Sequence, residues 1–79
     1  KARVAGLVRE IEPSMTIHDF RMTQGPQHQN LIFDVVAPHS CPLTDEEIKT
    51  RISGRVGELP GGPYFAVINV DRSYAESGA

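Results

Sequence analysis

The sequence predicts an α+β fold in which two helices cover one face of a three-stranded sheet. Three observations carry this expectation. Apolar residues recur at helical spacing in two separate stretches. Three runs are rich in β-branched and aromatic residues, and the first two read as a hairpin. The order along the chain is helix, strand, strand, helix, strand, with no internal repeat.

Val4, Leu7, Val8 and Ile11 fall at i, i+3, i+4 and i+7, one stripe of the first helix. Pro13 ends it, because the residue before a proline is pushed out of the helical region. The chain opens directly in this pattern without an initiator methionine, as a piece of a longer protein would. Residues 15–22 and 30–36 form the predicted hairpin, joined by a polar connection over 23–29 that contains Gly25-Pro26. Pro38 and Pro42 bracket the next loop, which holds His39 and Cys41. Thr44 is placed to cap the second helix and Glu47 to return the bond as a capping box. Ile48, Ile52, Val56 and Leu59 are its buried stripe, and Pro60-Gly61-Gly62-Pro63 stops it. Residues 64–71 read as the last strand and 72–79 as a polar tail, so 1–79 is one domain.

Seventy-nine residues give a small, marginal core. One cysteine excludes an internal disulfide framework and fits a reducing compartment. No apolar run approaches the roughly 20 residues of a membrane span, so no direct membrane insertion by this segment is expected. The formal charge is −2 and the basic residues are scattered, which argues against nucleic acid as a partner. No GxxxxGK[ST], GxSxG, HExxH or CxxC pattern occurs, and an enzyme is not expected.

Strand alternation puts Leu31, Phe33 and Val35 on one face and Ile32, Asp34 and Val36 on the other. In the last strand Phe65, Val67, Asn69 and Asp71 oppose Tyr64, Ala66, Ile68 and Val70. Both faces are largely apolar, and two short helices cover only one. Leaving Ile32, Val36, Phe65 and Val67 in water would forgo on the order of 6–12 kcal/mol. A homodimer through those four residues is the simplest cover, with Asp34, Asn69 and Asp71 at or beside its seam.

His18-Asp19-Phe20-Arg21, the run 31–36, the helix 44–59 and the ending Val67-Ile68-Asn69-Val70-Asp71 resemble the cytoplasmic C-terminal domain of cation diffusion facilitator transporters. These are dimeric, proton-coupled exporters of divalent metals. The likeness runs from the first helix to Asp71 and implies a metallochaperone-like, ferredoxin-like αββαβ sandwich. It also implies a transmembrane domain in the full-length protein and a place on the cytoplasmic side of the membrane. By position it implies His18, Asp34 and Asp71 as metal ligands, with a carboxylate at Asp34 where metal-binding members carry histidine. Glu46 or Glu47 and Asn69 stand where a secondary metal would be held, and Asp19 where a carboxylate would orient the imidazole.

One imidazole with two carboxylates suits Zn²⁺, and also Mn²⁺ or Fe²⁺. Each residue also has a plainer reading. His18 at a strand edge can bond to nearby backbone, and Asp34 can pair with Arg21 or Arg72. Asp71 can simply end a strand, and Asp19 can be a surface carboxylate. Glu46 and Glu47 suit the first turn of a helix, and His39 with Cys41 suits a surface loop. The rival to a transporter domain is a free-standing, ferredoxin-like dimeric module that binds a small ligand at its interface. A third, weaker reading makes His18 and Asp34 the acid–base pair of a small enzyme. Hydrophobic spans encoded immediately before Lys1 would decide for the transporter.

Overall fold

The structure, a computed structural model, describes residues 2–73. Its elements are α1 (Ala2–Ile11), β1 (Thr16–Gln24), β2 (Gln29–Pro38), α2 (Asp45–Gly57) and β3 (Tyr64–Ser73). The sheet order is β1-β2-β3, with β1 antiparallel and β3 parallel to the central β2. The parallel pair needs a crossover, and α2 supplies it. This is the αββαβ arrangement expected, a ferredoxin-like sandwich with a mixed sheet.

The core lies between the helices and one sheet face, here called the inner face. Val4, Leu7 and Val8 of α1 and Ile48, Ile52 and Val56 of α2 close on Leu31, Phe33, Val35 and Ala37 of β2. Phe20 stacks on Phe33 with ring centroids 6.0 Å apart. The α2 start is as the sequence implies: Glu47 N–H donates to Thr44 Oγ1 at 3.1 Å, and Thr44 N–H donates to Glu47 Oε1 at 2.8 Å. Cys41 is buried among core residues and not presented by a surface loop.

Three further features differ from the sequence reading. The hairpin strands reach further into the polar connection, so Thr23, Gln24 and Gln29 are paired residues. Asn30 Nδ2 donates to Thr23 Oγ1 at 3.2 Å, a polar cross-strand pair that an apolarity pattern does not detect. Arg72 is part of β3 and not of a polar tail. Its guanidinium donates to the carbonyls of Pro38 (3.2 Å) and Leu43 (2.6 Å) and pairs with Asp45 at 3.0 Å. It closes the loop between β2 and α2 against the end of β3. Ser73 of the predicted tail is the last residue of β3, and positions 74–79 lie outside the described residues.

The third difference is a β-bulge between His18 and Arg21, with Asp19 in the left-handed region at φ 55°. Ile17 and Phe20 both pack toward the core although they are three residues apart. Strict alternation would send one of them to the opposite face. One extra residue restores the parity, and aspartate is among the few L-residues that accept its conformation. The expected stability series follows from this. Asp19→Gly should stay within about 0.5 kcal/mol of the parent in denaturant unfolding, and Asp19→Val should lose roughly 1–2 kcal/mol. Equal stability of the two variants would mean that the left-handed conformation is not what the position requires.

Candidate metal-binding face

The opposite, outer face of the sheet has no helix over it. Phe65 and Val67 are 55% and 50% exposed there, and Ile32 and Val36 are half-buried beside them. The register arranges this face in rows across the three strands. Thr16, Val36 and Asp71 form one row, and His18, Asp34 and Asn69 the next. Arg21, Ile32 and Val67 follow, then Thr23, Asn30 and Phe65. The imidazole of His18 and the guanidinium of Arg21 therefore lie along β1, and the carboxylates of Asp34 and Asp71 along β2 and β3.

His18 stands directly opposite Asp34 across β1 and β2. Its Nε2 lies 3.1 Å from Thr16 Oγ1, a contact that steadies the ring. Asp34 is half-buried, and among the described residues no hydrogen bond or ion pair reaches its carboxylate. Arg72, one of its expected partners, points to the inner face and is committed to Asp45 and two carbonyls. Asp71 is exposed and accepts a 3.4 Å hydrogen bond from Asn69 Nδ2.

The three candidate ligands thus share one face without meeting in one chain. Two strand spacings and a two-residue offset put the α-carbons of His18 and Asp71 roughly 12 Å apart. Among the described residues, no three His, Cys, Asp or Glu side chains form a ready ligand group. The secondary set is divided more sharply. Glu46 and Glu47 lie on α2, which covers the inner face, and Asn69 lies on the outer face. Within one chain these residues do not come together, because the sheet separates them. The Glu47 carboxylate is in any case held by the cap, and Asp19 has a backbone reason to be aspartate.

The concave surfaces lie elsewhere. An open cleft of about 350 Å³ runs between the helices beside Leu7 and Leu59, bridged by the 2.9 Å Glu10–Arg55 ion pair. A notch of about 120 Å³ at the hairpin end is lined by Phe20, Met22, Leu31 and Tyr64 with Arg3 at its edge. Neither includes His18, Asp34 or Asp71. Neither cleft opens among the candidate ligands of the outer face. Among the described residues, no helix is long and apolar enough to cross a membrane.

No protein-family model and no curated protein sequence matches the chain. A solved structure of CzrB, described as a candidate zinc transporter, matches with a TM-score of 0.69. The match covers 91% of this chain and 90% of that one at 19% sequence identity. Likeness at that identity establishes a shared fold.

The cap of α2 has a pH signature. The Thr44 backbone N–H, and then its hydroxyl, hold the Glu47 carboxyl below the ordinary glutamate value of 4.5. A carboxyl depressed on folding stabilises the native state above its unfolded value, and the contribution is lost as pH falls through the folded one. Thermal melts of the parent and Glu47→Gln should therefore differ most near neutral pH and converge below about pH 4.5. A difference unchanged down to pH 3 would show that the ionised cap contributes nothing.

Proposed function

We propose that this chain is the cytoplasmic, metal-responsive dimerisation domain of a proton-coupled divalent-metal efflux transporter of the cation diffusion facilitator type. The observation that carries this reading is that His18, Asp34 and Asp71 share the uncovered apolar face of the sheet. The fold common to this chain and the zinc-transporter candidate CzrB supports it. The chain's attachment to its own transmembrane domain belongs to the same proposal.

A second copy is the natural cover for the outer face. Turned about an axis parallel to β2, it lays its β3 over β1, so His18 and Arg21 meet the strand that carries Asn69 and Asp71. Ile32 and Val36 then lie over their own counterparts near the axis, and Phe65 and Val67 pack toward the other chain's β1. Turning the copy about an axis across the strands instead sets Asp34 and Asp71 against Ile32 and Phe65, where nothing compensates a carboxylate. Self-association thus favours the first arrangement by charge.

That arrangement has a built-in opposition. Asp34 lies close to the axis and faces the Asp34 of the second copy, and like charges across an interface oppose docking. His18 and Asp34 of one copy, with Asp71 of the other, make a mixed nitrogen and oxygen donor set drawn from both chains. This set fits Zn²⁺, with Mn²⁺ or Fe²⁺ as alternatives. A divalent cation would supply the missing positive charge at the seam. Any ligand that prefers the paired state stabilises it by mass action. Cytosolic metal then draws two domains together, and the attached transmembrane helices receive the shift.

Calorimetry and sedimentation of the purified chain test this reading. Zn²⁺ or Mn²⁺ should bind with heat, raise the melting temperature and shift the chain toward a dimer. His18→Ala and Asp71→Ala should each weaken binding by more than about tenfold. Asp34→Asn should pair at least as tightly as the parent without metal, because the repulsion is gone, and should no longer tighten when metal is added. A parent chain that neither binds nor pairs would end the proposal. A metal-tightened Asp34→Asn dimer would remove Asp34 from the site.

A further inference from the structure

At the hairpin end of the outer face, His28 folds out of the β1–β2 turn and lies flat on Phe65. Their ring centroids are 4.2 Å apart and their planes are 14° from parallel. The turn is shaped for this. Gly25 N–H donates to the His28 carbonyl at 2.7 Å, which closes the loop. A Cβ at Gly25 would come within 2.8 Å of the imidazole Cε1 and Nε2, so only glycine leaves the ring its place.

Among the described residues, those that flank the ring carry no charge. Gln24, Gln27 and Gln29 flank it from the hairpin, and Gly62 and Pro63 flank it from the turn before β3. By register the nearest ionisable side chain on this face is Arg21, on β1 in the row next to that of Phe65, and its charge has the same sign as an imidazolium. No carboxylate faces His28 from the hairpin, the turn or β3.

We infer that His28 makes self-association through the outer face proton-sensitive, because it is an uncompensated imidazole resting on Phe65, one of the residues that a second copy covers. The inference rests on the two-copy reading above. A neutral ring adds to the apolar surface and can be covered with it. An imidazolium gains from the exposed Phe65 ring by a cation–π contact and keeps its water. Covering it would bury a charge with no partner. The cation–π contact lies within one chain and is kept in both states, so it is the buried charge that favours the separated chains when the ring is protonated. Histidine side chains change charge between about pH 5 and 8, so pairing is strongest above that range and weakens on acidification through it.

Sedimentation equilibrium of the metal-free chain, in chelator at pH 8 and pH 5.5 and over a wide concentration range, tests this. The ratio of the dimer Kd at pH 5.5 to that at pH 8 should be at least about tenfold larger for the parent than for His28→Gln. Gly25→Ala, whose Cβ would crowd the imidazole at 2.8 Å and the His28 carbonyl at 3.1 Å, should move the ratio the same way. Equal ratios in the parent and His28→Gln would overturn the role of His28. A chain that stays single at every concentration and pH would instead overturn the two-copy reading, and this inference with it.

Discussion

Two helices cannot cover two faces of a sheet, and the rest of this structure follows from that constraint. β2 is apolar on both sides: Leu31, Phe33, Val35 and Ala37 face the helices, while Ile32 and Val36 face away from them. The inner set is closed by α1 and α2 to full burial. The outer set is left with Phe65 and Val67 half in water. The surface most in need of a neighbour is therefore also the one that carries His18, Asp34 and Asp71. Hydrophobic burial favours covering this face, whereas the half-buried Asp34 carboxylate, which no described residue pairs with, opposes it. Such a balance is readily shifted by a small change of charge.

Much of the fold was legible because periodicity reports burial directly. The stripes Val4-Leu7-Val8 and Ile48-Ile52-Val56 read as helices because a helix presents every third or fourth residue to its core. The Thr44–Glu47 cap was legible because it is a local, four-residue bargain between side chain and backbone. The two faces of β2 and β3 followed from strict alternation. What escaped was long-range or broke the period. Arg72 read as the start of a tail, since its partners Pro38, Leu43 and Asp45 lie about thirty residues away in sequence. The Asp19 bulge left a trace in the Ile17–Phe20 spacing of three, which no regular strand can bury on one side.

The candidate site was partly legible for the same reason. Face assignment put Asp34, Asn69 and Asp71 together, and the register adds His18 to their face. Distance was not legible, because it depends on strand order. With β2 central, His18 and Asp71 lie on opposite edge strands. The same order puts Glu46 and Glu47 behind the sheet. The His28–Phe65 stack had no sequence signal beyond a glycine in the turn, because it joins a loop to a strand more than thirty residues later.

Asp71 and Arg72 are neighbours in β3 and project through opposite sides of the sheet. One ends among the outer carboxylates; the other grips the β2–α2 loop and the first turn of α2. The two side chains hang from adjacent residues, so the outer carboxylate and the guanidinium that holds the carbonyls of Pro38 and Leu43 share one stretch of backbone. Any displacement of that backbone shifts both anchors at once, which ties the outer face to the first turn of α2.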